Sequence, residues 1–224
     1  METLVDDQSP FGSLPPKRSI SALESLGRVR LSRYLSMRQC LYSEIAATYG
    51  ILNVPDNRDL AIANGTALAT TLLDPLFETF GVVEIRSAYR SPLVNAIGNR
   101  NDHNCAANDF NHGRHIWDRL DVNGHRGATA CVHVPWFAAQ LPDRDWRDFA
   151  WWLYDHLEGF DAVSFLSTGT FNIRWCEAPV PSLSAQYGDV PRVLLRAGSE
   201  PGESLEARRA RYADFPSFRG LSFP

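Results

Sequence analysis

The chain has 224 residues, 44% of them hydrophobic and 21% charged, with a net charge of −4 and a mean hydropathy of −0.24. That composition excludes collagenous, coiled-coil and mainly disordered classes and suits one domain with a sizeable core. A net acidic chain without a basic run offers no electrostatic footprint for nucleic acid, and no apolar run reaches the length that suggests a membrane span. Met1 to Ser13 is acidic and lacks an apolar stretch, so the expected location is cytoplasmic, with the four cysteines as thiols or metal ligands.

Residues 1–30 carry Ser-Pro, Gly-Ser and Pro-Pro breaks and are expected to form an irregular arm, with an ordered domain over 31–195. Ser36 is placed to cap a helix that carries Met37, Leu41 and Ile45 on one face and ends at Gly50. A second helix is predicted from Arg58 to Phe80, kinked near Leu73-Asp74 by Pro75. Val82–Arg86 reads as a strand, and Ser91-Pro92 opens a short helix to about Ile97. Gly98 to Gly127 is a long polar loop holding four of the six histidines, and a loop of that length is a functional candidate. Ala128–Trp136 reads as a strand and Asp143–His156 as an amphipathic helix. Val163–Trp175 reads as one or two strands. The segment 196–224 reads as a polar tail with a short Arg-rich helix at Leu205–Tyr212. Helices first, then strands mixed with one helix, predict an α+β fold with an antiparallel sheet flanked by helices.

Cys131 and His133 alternate on one strand and share a face, Cys176 ends another strand, and His115 lies in the loop feeding the first. Imidazoles and thiolates on strand ends suit zinc, and soft ligands also admit iron or copper. Buried cysteines also occur as small hydrophobes, so spacing alone leaves both readings open.

The segments LSRYLSMRQ, YGILNVPD, LLDPLFETFG and VEIRSAYRSPLVNAIGN resemble, in that order, the zinc D-alanyl-D-alanine carboxypeptidases, whose fold is shared with the Hedgehog signalling domain. The resemblance implies that Ser87, Tyr89 and Arg90 of the Ser-Ala-Tyr-Arg-Ser-Pro turn bind substrate, with Arg90 holding an anionic group. It also implies a metal site in which Cys131 stands for the family's aspartate and Cys176, after Trp175, for its final histidine. His115 replaces the first histidine, and His133 is the reserve ligand. Glu177 is the nearby carboxylate left for the general acid–base role, since Ile173 lies where the family's glutamate belongs. The expected function is a metal-dependent hydrolase acting on a small-molecule or peptide substrate. The alternative is a non-catalytic binding protein on the same scaffold, metal-free or with a structural ion. Neither nucleic acid nor membrane is an expected partner.

Overall fold

The computed structural model describes residues 20–140, 144–187 and 192–220. Ten helices occur among them: α1 Ile20–Gly27, α2 Met37–Leu41, α3 Glu44–Thr48, α4 Arg58–Leu68, α5 Asp74–Phe80, α6 Pro92–Arg100, α7 Asn108–Asn111, α8 Pro135–Ala138, α9 Trp146–His156 and α10 Leu205–Arg211. Six strands, β1 Glu84–Ser87, β2 Gly127–His133, β3 Phe160–Ser167, β4 Thr170–Cys176, β5 Ser182–Ala185 and β6 Val193–Leu195, form one sheet in the order β1-β2-β4-β3-β5-β6.

The fold is α+β, but the sheet is mixed where the sequence predicted an antiparallel one. β3 and β5 pair in parallel, Ala162 against Ser182 through Phe165 against Ala185. The cause lies in the short link after β4. It crosses the end of β3, where the Val180 N–H donates to Asp161 Oδ1 (3.0 Å) and the Ser182 hydroxyl to the Asp161 carbonyl (3.3 Å). The chain then returns on the far side of β3, which β4 already pairs antiparallel.

The helix expected over 36–49 is two helices. Tyr42 is extended between them, and the Ser43 hydroxyl caps the second by accepting from the Ala46 N–H. The Arg58–Phe80 helix is interrupted by a π-helical turn, Ala69–Leu73. Pro75 has no N–H for the ladder, and the widened turn before it absorbs that loss. By length and composition this 23-residue helical stretch could cross a membrane, yet more than half of its apolar window is buried inside the molecule. Leu68, Leu72, Leu73 and Leu76 are all core residues.

Order begins before Leu31. Within the expected arm, α1 buries Leu26 and its Glu24 pairs with Arg28 and Arg38; residues 1–19 lie outside the described part. The predicted start of the Asp143–His156 helix also lies outside it, and the described helix is capped by the Asp145 carboxylate. At the C-terminal end, the segment expected as a surface tail packs against the core. Arg208 holds the Asp155 carboxylate with two nitrogens, and Tyr212 and Phe215 are buried.

The two faces of the sheet differ. Ala128, Ala130 and Val132 of β2 and Phe171 and Ile173 of β4 belong to the hydrophobic core, which α4 and α9 also join. The alternate residues, Thr129 and Cys131 on β2 and Asn172 and Arg174 on β4, point the other way. That second face carries the polar loop.

Candidate functional site

Three strands build the floor of a cleft of about 510 Å³. Cys131 pairs with Ser87 of β1 on one side and Asn172 of β4 on the other, so the three side chains form one row. β1 carries a bulge between Ile85 and Ser87. A bulge re-aims side chains, and here Arg86 and Ser87 both line the cleft, with Arg90, His115, Cys131 and Asn172. Glu44 of α3 and Asp102 and His103 of the loop form its rim.

The loop is held firmly over this face. The His115 carbonyl accepts from the Arg90 N–H (2.8 Å), and the Arg114 carbonyl from the Thr129 N–H (2.9 Å). Trp117 donates its indole N–H to the Thr129 carbonyl (3.1 Å), while Asn64 donates to the Trp117 carbonyl (2.8 Å). Gly65 of α4 leaves room for this tryptophan, because a Cβ there would lie 2.7 Å from its ring.

Arg90 is 8% exposed, not partly open as a substrate-facing turn suggests. Its Nη1 donates to the Cys105 sulfur at 2.5 Å, and its buried Nε has no partner among the described residues. No described carboxylate pairs with it. Burial disfavours the charged guanidinium, with the Cys105 and Cys131 sulfurs opposing that effect. His115 is buried, with Nδ1 on the Ala88 carbonyl (2.8 Å). Burial first, and then Arg90, push its pKa down to about 3, so the ring is neutral. Cys131 is pushed up to about 11 by burial, against the pull of Arg86 and Arg90.

The remaining sequence candidates lie elsewhere. Cys176 pairs with Gly127, four residues along β2 from Cys131. At roughly 3.3 Å per residue their rows are about 13 Å apart, too far to share an ion through ligand bonds of about 2.0–2.3 Å. His133 is two residues from Cys131 in the other direction and bonds the Thr170 hydroxyl (2.8 Å). Tyr89 is fully buried against Trp117, with ring centroids 6.0 Å apart, and is a core residue rather than a substrate contact. Glu177 lies outside the cleft; its carboxylate accepts from the Arg126 backbone N–H (2.7 Å) and Nε (2.8 Å). Arg126 holds its pKa below the usual carboxylate value, which suits an ion pair and not a proton shuttle. Asp118 accepts from the backbone N–H groups of Asp56 (2.8 Å) and Asn57 (3.3 Å), anchoring the loop.

Sequence reasoning missed Arg86, Asn172 and Cys105. Asn172 alternates with Arg174 and Cys176, so its face was readable, but its place opposite Cys131 required the strand register. Comparison with protein-family models, with curated proteins and with solved structures gave no match.

Proposed function

We propose that this protein binds a small molecule or peptide through an anionic group seated on Arg90, on a scaffold resembling the zinc D-alanyl-D-alanine carboxypeptidases. The observation that carries this reading is the buried Arg90 guanidinium, with an unpartnered Nε and no carboxylate partner among the described residues. A buried charge is costly unless paired and hydrogen-bonded. A ligand carboxylate or phosphate in the cleft that Arg90 lines would balance this charge, and the guanidinium fork matches either anion. Arg86 adds a second positive charge at the same floor, and Ser87 and Asn172 add neutral polar groups.

The resemblance implies zinc, and the His115, Cys131, Cys176 donor set does not fit a shared ion, because Cys176 lies four register positions away. A cysteine nucleophile is also disfavoured. An activated thiol has a depressed pKa, whereas Cys131 is raised to about 11 beside a His115 lowered to about 3. The cleft chemistry therefore favours recognition over activation of water, which is the non-catalytic alternative.

Calorimetric titration of the full chain with small carboxylates and inorganic phosphate at low ionic strength tests the reading. Saturable binding that disappears in Arg90→Met is expected. No binding to the wild-type chain, or equal binding by Arg90→Met, would overturn it.

A further inference from the structure

Cys176 does not join the cleft, yet it is not isolated. Its sulfur, a ring nitrogen of His125 and a carboxylate oxygen of Asp121 lie within 4.8 Å of one another. The geometry points to a zinc site at Asp121, His125 and Cys176, with Cys176 four residues along β4 from Asn172 at the floor of the Arg90 cleft, and independent of what that cleft binds.

The ligands come from two parts of the fold, the end of a strand and a turn of the loop. Cys176 is the last residue of β4, buried and fixed by pairing with Gly127 at the start of β2. A Cβ on Gly127 would lie 2.3 Å from the Gly113 carbonyl, so glycine permits the close approach of loop and strand here. Asp121 and His125 close a tight turn: the Asp121 N–H donates to the His125 carbonyl (2.9 Å), and the His125 N–H to Asp121 Oδ1 (2.9 Å). Tetrahedral zinc with bonds of about 2.0–2.3 Å sets its donors roughly 3.3–3.8 Å apart, so the three atoms need close by at most about 1–1.5 Å.

The charges and outer partners also suit zinc. A thiolate and a carboxylate together balance a divalent ion, while the imidazole binds in its neutral form. Arg174 Nη2 bonds Asp121 Oδ2 (2.8 Å), orienting the carboxylate as outer-shell partners do. Sulfur, nitrogen and oxygen donors together select zinc over the hard cations magnesium and calcium. His125 and Asp121 are partly exposed, which leaves the ion a route in and a solvent position as fourth ligand.

Cobalt(II), which takes zinc sites and reports thiolate ligation by a near-ultraviolet charge-transfer band, is the probe. The full chain is expected to bind one equivalent, with the band abolished in Cys176→Ser and retained in Cys131→Ser. His125→Ala, at a partly exposed position, should weaken binding by more than about 10-fold, the lower end of what even outer-shell changes cost. It also serves if Cys176→Ser fails to fold. A folded wild-type chain with no band, a band unchanged in His125→Ala, or a band lost in Cys131→Ser instead would each overturn the site. Zinc competing cobalt off the protein supports it, whereas failure of zinc to compete overturns the choice of metal.

Discussion

Arg90 illustrates how one residue can cost the fold something and still be retained. Its guanidinium is buried, bonded to a thiol rather than to a carboxylate, and left with an open Nε. Replacing a buried charge by an apolar side chain of similar length is often neutral or stabilising. Arg90→Met is therefore expected to leave the ligand-free protein as stable as the wild type, or more stable by about 1–2 kcal/mol, while abolishing anion binding. Urea denaturation beside calorimetry checks both halves, and a large loss of stability would mean that Arg90 is structural. His115 yields a second expectation, in pH. Its folded pKa of about 3 lies below the ordinary value of 6.5, so between those values the unfolded chain binds a proton that the folded chain refuses. Stability is full above pH 6.5 and falls as the pH drops towards 3. In the window from 6.5 to 5, before most carboxylates titrate, the loss should be about 2 kcal/mol. Denaturation midpoints across that window measure it, and His115→Asn should flatten the slope.

At the scale of elements, alternation in the sequence was enough to put Cys131 and His133 on one face of their strand and Cys176 at the end of another. It could not say how far β2 and β4 slide past each other, because a period of two marks faces and carries no offset. The pairing of Gly127 with Cys176 therefore separates two cysteines that linear reasoning brought together, and it seats Phe171-Asn172 opposite Cys131 where Trp175-Cys176 was expected. The caps at Ser91 and the break at Pro75 were legible because each acts within one turn of its own helix. The loop was legible as polar and long, but its anchoring depends on α4, more than 40 residues earlier in the chain. Gly65 is the point of contact. Alanine there would gain up to about 1 kcal/mol in helix propensity, but its Cβ would stand 2.7 Å from the Trp117 ring. Overpacking of this kind costs about 1–3 kcal/mol, so Gly65→Ala should be destabilising overall. It should also speed amide exchange in the segment around His115, which hydrogen-exchange mass spectrometry reads.

For the whole molecule, the sheet divides the labour: a continuous hydrophobic core on one face, and the polar loop with the cleft and the Asp121–His125–Cys176 cluster on the other. The C-terminal segment completes the core side, which its polar composition concealed. Among its described residues the buried large apolar side chains are Tyr212 and Phe215, and they fall at the end of α10 and just beyond it, where no amphipathic period reveals them. Phe215 is the keystone of that contact. Its ring lies 5.1 Å from Trp136, 5.9 Å from Phe137 and 6.1 Å from Phe149, measured between centroids. It also lies 6.3 Å from Phe80, so it joins α5, α8 and α9 in one aromatic cluster. Removing a buried phenylalanine costs about 3–5 kcal/mol; at 9% exposure the lower figure applies. Phe215→Ala is expected to reduce stability by about 3 kcal/mol. Because Phe215 packs on the helices and not on the loop, anion affinity measured well below the melting temperature should stay near the wild-type value. A substitution that left stability within about 0.5 kcal/mol, the range of ordinary surface changes, would return the segment to the status of an appendage. Loss of binding in a protein still fully folded would instead mean that the core and site faces are coupled through the sheet.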